Sequence, residues 1–295
     1  MGENKEIQAL IQLLDDPDPM VFGHVEEKLK SLGIPVIPVL EHAWEETVLG
    51  AEFQIRVEKI IHSIQFDDVI ENLSKWQKED SSDLLKGLII ISKYQYPDLD
   101  EEEVYRQIEK LEQEIWLELN NNLTALEQVR ILNHILFDIH NFSGNTANYH
   151  DPKNSYINTF LESKKGNPIS LSILYMILAQ RLSLPIYGVN LPKHFVLAYC
   201  GTDNFFLSGK TDENNVLFYI NPFSNGGVFS TKEIEEFLEK MKLEVSDLFT
   251  KPCNNIDIVK RVLNNLYFAY QKLGYDDKMM EIEVLQKSME PIKQD

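Results

Sequence analysis

Cysteine is nearly absent from this chain: Cys200 and Cys253 are the two in 295 residues. They are too few and too isolated for a disulfide framework or a cysteine-ligated zinc site, and they fit a reducing compartment. Basic residues are scarce as well, with 28 Lys plus Arg against 47 Asp plus Glu, a formal net charge of -19. That balance repels phosphate backbones and anionic lipid, so neither nucleic acid nor a membrane surface is expected as a partner. No window of about 18 uncharged apolar residues occurs. The opening MGENKEIQALIQLL has no basic stretch leading into an apolar one, which leaves a cytoplasmic location as the expectation. Metal ligands at a usable spacing are missing too. His140, His150 and Asp151 lack the i, i+4 histidine pair or a comparable pattern, so no metal is expected. Gly226-Gly227 lies outside any GxGxxG or GKT context, reads as a turn, and implies no nucleotide cofactor.

What is present is helical periodicity over most of the length. Ile7, Leu10, Ile11 and Leu14 precede the breaker DDPDP, and Val21, Val25, Leu29 and Leu32 precede Gly33. Further helices are predicted from Ile37 to Trp44 and from Phe53 to Ile64, in units like those of HEAT arrays. A buried helix should follow over Leu84 to Ser92. An acidic start then opens a helix over Glu103 to Leu119, with another over Ala125 to Ile139. From Asn141 the segment HNFSGNTANYHDPKNSY predicts an ordered loop. Asn167-Pro168 then supplies a cap and a first-turn proline for a helix, ISLSILYMILAQRL, that is apolar on most faces. After Pro185 the pattern changes to short β-branched and aromatic runs, PIYGVN, HFVLAYC, NFFLS and VLFYIN, which predict an antiparallel meander. Helices near Lys232 to Met241, Ile256 to Leu273 and Asp277 to Ser288 close the sequence.

GNPISLS from Gly166, the His194-Phe195 pair and INPF from Ile220, with YHDPKNSY and RLSLPIYGVNLPKHFVLAY between and before them, resemble the transglutaminase-like family named after the bacterial SirB protein. LLDDPDP and YQYPDLD extend the resemblance over about residues 5 to 290. It implies an α+β, mainly α fold: a papain/transglutaminase-like core, with a central helix on a small antiparallel sheet, flanked by helical-repeat segments. The expected division is residues 1–80, HEAT-like; 81–250, the core with its preceding helices; and 251–295, a tetratricopeptide-like helix pair around Leu273-Gly274-Tyr275.

Catalytic members place a cysteine at the start of the core helix, where the helix N-terminus favours thiolate, with a histidine and an aspartate on neighbouring strands. The position resembling that cysteine is Pro168, which carries no nucleophile. His194 matches the histidine, and Asn221 stands where the carboxylate is usual. The expectation is therefore a non-catalytic module that binds a protein or peptide and uses no cofactor. The alternative is a serine-based hydrolase or acyltransferase using Ser170, His194 and Asn221. Against that stand ordinary roles for all three: a first-turn capping serine, a strand-start histidine satisfied by its neighbours, and a turn-opening asparagine. Tyr149, Asp151, Asn154, Tyr156 and Asn167 are candidate ligand-binding residues of the cleft before the core helix. For the loop residues among them, turn capping and edge-on tyrosine packing is the competing account.

Overall fold

A computed structural model describes residues 2–45, 50–192, 194–201, 216–244 and 246–290. The run NFFLS, expected as a strand, lies outside the described residues.

The first helices begin and end where the sequence supplies caps. Helix α1 is Gly2–Gln12 and α2 is Pro19–Leu32. The Asp18 carboxylate accepts the Met20 N–H at 2.9 Å, and Pro19 spends no donor in the first turn. Helix α3 is Ile37–Glu45. Helix α4, Gly50–Glu79, runs fifteen residues past the expected Ile64. The extension follows from apolar residues continuing at helical spacing through Val69, Leu73 and Trp76, with no glycine or proline to stop it. This helix joins two apolar clusters. One gathers Ile11, Leu29, Leu40, Phe53 and Ile64, and the other begins at Val69 and extends to Met289.

Helices α5, Leu84–Lys93, and α6, Glu101–Glu118, are opened by Asp83 and Asp100, whose carboxylates accept the Lys86 and Glu103 N–H groups. Helix α7 is Ala125–Asn133, where one helix to Ile139 was expected. Its continuation, His134–Ile139, is a π-helical turn that ends with His140 N–H on the Ile135 carbonyl at 3.0 Å. Underwinding the backbone this way buries the consecutive residues Ile135, Leu136 and Phe137 together. Next come the short parallel pair β1, Ser143–Gly144, and β2, Lys165–Gly166, and between them helix α8, Ile157–Ser163.

Helix α9, Pro168–Arg181, is buried on every side from Pro168 to Ala179, as its continuous apolar sequence requires. Among the described residues it lies on a four-stranded antiparallel sheet of order β3 (Ile186–Val189), β4 (Val196–Cys200), β5 (Val216–Asn221) and β6 (Gly227–Phe229). The last strand falls where only a turn was expected. Asn225 and Gly226, both at positive φ, make that turn, and Gly227 already pairs with Asn221. The sheet is covered on both faces. Phe195, Leu197 and Tyr199 pack with α9, while Val196, Ala198 and Cys200 pack with Ile234 and Leu238 of α10, Thr231–Lys240. After a short helical turn α11, Asp247–Thr250, the pair α12 (Asn255–Leu273) and α13 (Asp276–Ser288) completes the main cluster around Gly274, a left-handed C-cap at φ +74°. The protein is thus α+β and mainly α, with a helix on a small antiparallel sheet at its centre. No described helix is long and apolar enough to cross a membrane.

Candidate functional site

The start of α9 is closed on itself. The Asn167 side chain accepts the Ser170 N–H at 2.9 Å, and Ser170 Oγ accepts the Asn167 N–H at 3.0 Å, which is a reciprocal capping box. Asn167 Nδ2 donates to Ser155 Oγ at 2.9 Å. The Ser170 hydroxyl points its proton back at Asn167, whose carbonyl and Oδ1 lie at 3.2 and 3.1 Å. Ser170 is therefore spent on the cap, and it is only 8% exposed.

The other two triad candidates have partners of their own. His194 lies two residues before β4, its N–H on the Leu191 carbonyl at 3.1 Å, and its ring meets Phe237 of α10 edge-on at 5.2 Å. Burial, and then the nearby charge of Arg261, push its pKa down. Asn221 opens a turn: its Oδ1 accepts the Phe223 N–H and its Nδ2 donates to Ser224 Oγ, both at 3.1 Å. Among the described residues no hydrogen bond links Ser170, His194 and Asn221.

The cysteines offer no replacement. Cys200 is buried, and burial raises its thiol to about 11. Cys253 donates to the Gly188 carbonyl at 3.3 Å and is pushed up to about 12, chiefly by burial. Iodoacetamide at neutral pH should accordingly alkylate the native protein at least ~100-fold more slowly than the urea-unfolded one, as the scarcity of thiolate dictates. Comparable rates, followed by mass spectrometry, would show an accessible thiolate and refute this picture. No group of three or more His, Cys, Asp or Glu among the described residues is placed to hold a metal.

What lies in front of the α9 cap is a cleft of about 520 Å³. Asp151, Ser155 and Asn167 form one wall; Arg261, Asn264, Phe268 and Lys272, one face of α12, form the other. Tyr149 stands at the rim, 40% exposed, and meets the rings of His150 and Phe223 edge-on at 5.0 and 6.0 Å. Asp151 also caps the turn Pro152–Ser155 by accepting the Lys153 N–H. Of the candidate binding residues, Tyr149, Asp151 and Asn167 line this cleft. Asn154 and Tyr156 are set in the framework beneath. Asn154 ties the loop together through Asn145, the Asn148 carbonyl and the Tyr149 carbonyl. The Tyr156 hydroxyl pairs with that of Tyr270 at 2.7 Å, and Tyr156 is 1% exposed. The α12 wall was not anticipated. Its signal was the polar set at positions 261, 264, 265, 268 and 272, one helical face interrupted by a single aromatic.

A family model described as the transglutaminase-like superfamily matches residues 102–264. A UPF0162 protein of Xylella fastidiosa is 29% identical over 205 residues, covering 66% of this chain and 67% of its own length. F-box only protein 21 of Homo sapiens is 25% identical over 246 residues, covering 74% of this chain and 37% of its own length. Protein SirB1 of Salmonella typhimurium is 24% identical over 186 residues, covering 62% and 65%. The alignment thus spans about two thirds of the bacterial relatives and little more than a third of the F-box protein. No solved structure matches at a significant level. The domain match over more than half of the sequence, read with the central helix on its sheet, means that the protein belongs to the SirB-type transglutaminase-like family.

Proposed function

We propose that this protein is a non-catalytic member of its family, a cytoplasmic recognition module whose cleft receives a segment of a protein or peptide. The observation that carries the reading is the α9 start itself. Proline stands where the family resemblance puts the nucleophile, the Ser170 hydroxyl is tied to Asn167 in both directions, and the cleft in front of them is nevertheless open. A cleft with aromatic and amide walls, kept without a nucleophile, is suited to hold a peptide rather than to cut it. In this reading residues 1–80 form a HEAT-like region and 251–295 a tetratricopeptide-like pair, and helical repeats of this kind expose one face for partners.

Exposing the purified protein to a broad fluorophosphonate, with Ser170→Ala and His194→Ala alongside, tests it by intact mass. No adduct on the folded wild type is the expected result. An adduct on the wild type that disappears in Ser170→Ala and in His194→Ala would replace recognition with a serine hydrolase.

A further inference from the structure

Arg261 is an anomaly in so acidic a protein. Arg56, Arg106 and Arg181 each pair with a glutamate, and Arg130 lies exposed to solvent. Arg261 is half-buried at the cleft, and among the described residues it makes one hydrogen bond, from Nη1 to Asn190 Oδ1 at 3.1 Å. Among the described residues it has no carboxylate partner, and a guanidinium carries five N–H donors in a planar fork. Lys272, on the same helix face, donates to His150 Nε2 at 2.6 Å instead of to an acid. With 47 Asp and Glu in the sequence, carboxylates were available to neutralise both cations. Leaving a partly desolvated arginine without one is unfavourable unless something else supplies the anion.

The geometry points to a carboxylate-binding site on the α12 wall of this cleft, with Arg261 as the fork that receives the carboxylate and Lys272 as a second cation. Asn264 and Asn265 supply amides beside it, and Phe268, 49% exposed, supplies an apolar surface for the residue next to the carboxylate. Asp151 on the facing wall repels the same group and confines it to the helix side. The ligand is thus an acidic peptide whose carboxylate lies next to an apolar or aromatic residue. That carboxylate can belong to a Glu or Asp residue or to the peptide's own C-terminus. This inference rests on the recognition reading above and specifies its ligand.

The probe is a set of short acetylated peptides in which an aromatic residue precedes a glutamate. Each is paired with its glutamine twin and made both as the free acid and as the carboxamide; binding to the full-length protein is read by fluorescence anisotropy. Peptides carrying a carboxylate should bind at least ~10-fold more tightly than the twin carrying none, as charge-assisted bidentate contacts imply. Preference for glutamate within the carboxamides assigns a side-chain carboxylate, and preference for the free acid among the glutamine peptides assigns a C-terminus; either supports the site. Arg261→Gln should abolish the preference. Lys272→Gln, at an exposed position, should weaken it several-fold, and it answers the question if Arg261→Gln fails to fold. Equal binding of acidic and neutral twins, or an undiminished preference in the variants, would overturn the carboxylate site. If neutral peptides bind and Phe268→Ala removes that binding, the recognition reading stands without it. If no peptide of the set binds, and none from a random display library, both fall.

Discussion

Gly166→Ala should destabilise the protein by about 3 kcal/mol, the sum of overpacking a filled interior and weakening a helix cap. A Cβ at Gly166 would lie 2.5 Å from Ser170 Oγ and 2.6 Å from the Phe160 ring. Neither neighbour can withdraw: Phe160 is fully buried, and Ser170 is held by the box that starts α9. Moving Ser170 would free the Asn167 N–H inside the protein, where an unpaired donor costs about 1–3 kcal/mol. The backbone is fixed as well, because the Gly166 carbonyl accepts the Asn145 N–H at 2.8 Å and β2 pairs with β1. Gly227→Ala is the control. Its Cβ would meet only the Ser224 carbonyl, at 3.4 Å, and a change within about 0.5 kcal/mol is expected of such a surface substitution. Urea midpoints at unchanged m-value measure both. A Gly166→Ala protein as stable as the control would mean that the cap can rearrange and that Ser170 is not committed to it.

The box also shows how far the site could be read from sequence. Asn167, Pro168 and Ser170 are local, so their capping geometry follows from residue type and spacing, and the helix appears where they place it. Tyr149 and Asp151 were identifiable because a loop so rich in polar and turn-forming residues had to lie at a surface. The facing wall was not, since Arg261 and Lys272 are about a hundred residues further on and share the cleft only through tertiary packing. In sequence their helix reads simply as a repeat element. For His194, the match to a family motif locates the residue just ahead of β4 but does not say which side chains its ring meets, and Phe237 is about forty residues further on. The length of α4 was legible in the spacing of Val69, Leu73 and Trp76. No cap signal lies between Ile64 and Glu79, so no local residue marks an earlier end to the helix.

Glu281→Ala should cost about 2 kcal/mol, most of it from leaving a buried hydroxyl without its acceptor. Glu281 lies on α13 and fastens two other helices to it. One oxygen meets His62 Nε2 of α4 at 2.5 Å, and the other accepts the Tyr94 hydroxyl, beyond the end of α5, at 2.6 Å. Lys278 closes the cluster, 3.5 Å from the same carboxylate and 4.5 Å above the Tyr94 ring. Burial alone would raise the Glu281 carboxyl. The hydrogen bonds from His62 and Tyr94 and the charges of Lys278 and His62 outweigh it, and the group is held at about 2 against an ordinary 4.5. Because the folded-state value is the lower one, the native state prefers the ionised form. Its stabilisation is complete above about pH 4.5 and is lost as the pH falls toward 2. The Glu281 side chain is 22% exposed, so screening leaves about 1–2 kcal/mol of pH-dependent stability rather than the full value of the shift. Glu281→Gln keeps the size and one acceptor but cannot titrate. Urea midpoints recorded across this acid range should fall more steeply for wild type than for Glu281→Gln, and the two curves should converge toward the acid end. Parallel curves would mean that Glu281 is not the carboxylate whose ionisation holds α4 and α5 to the C-terminal pair.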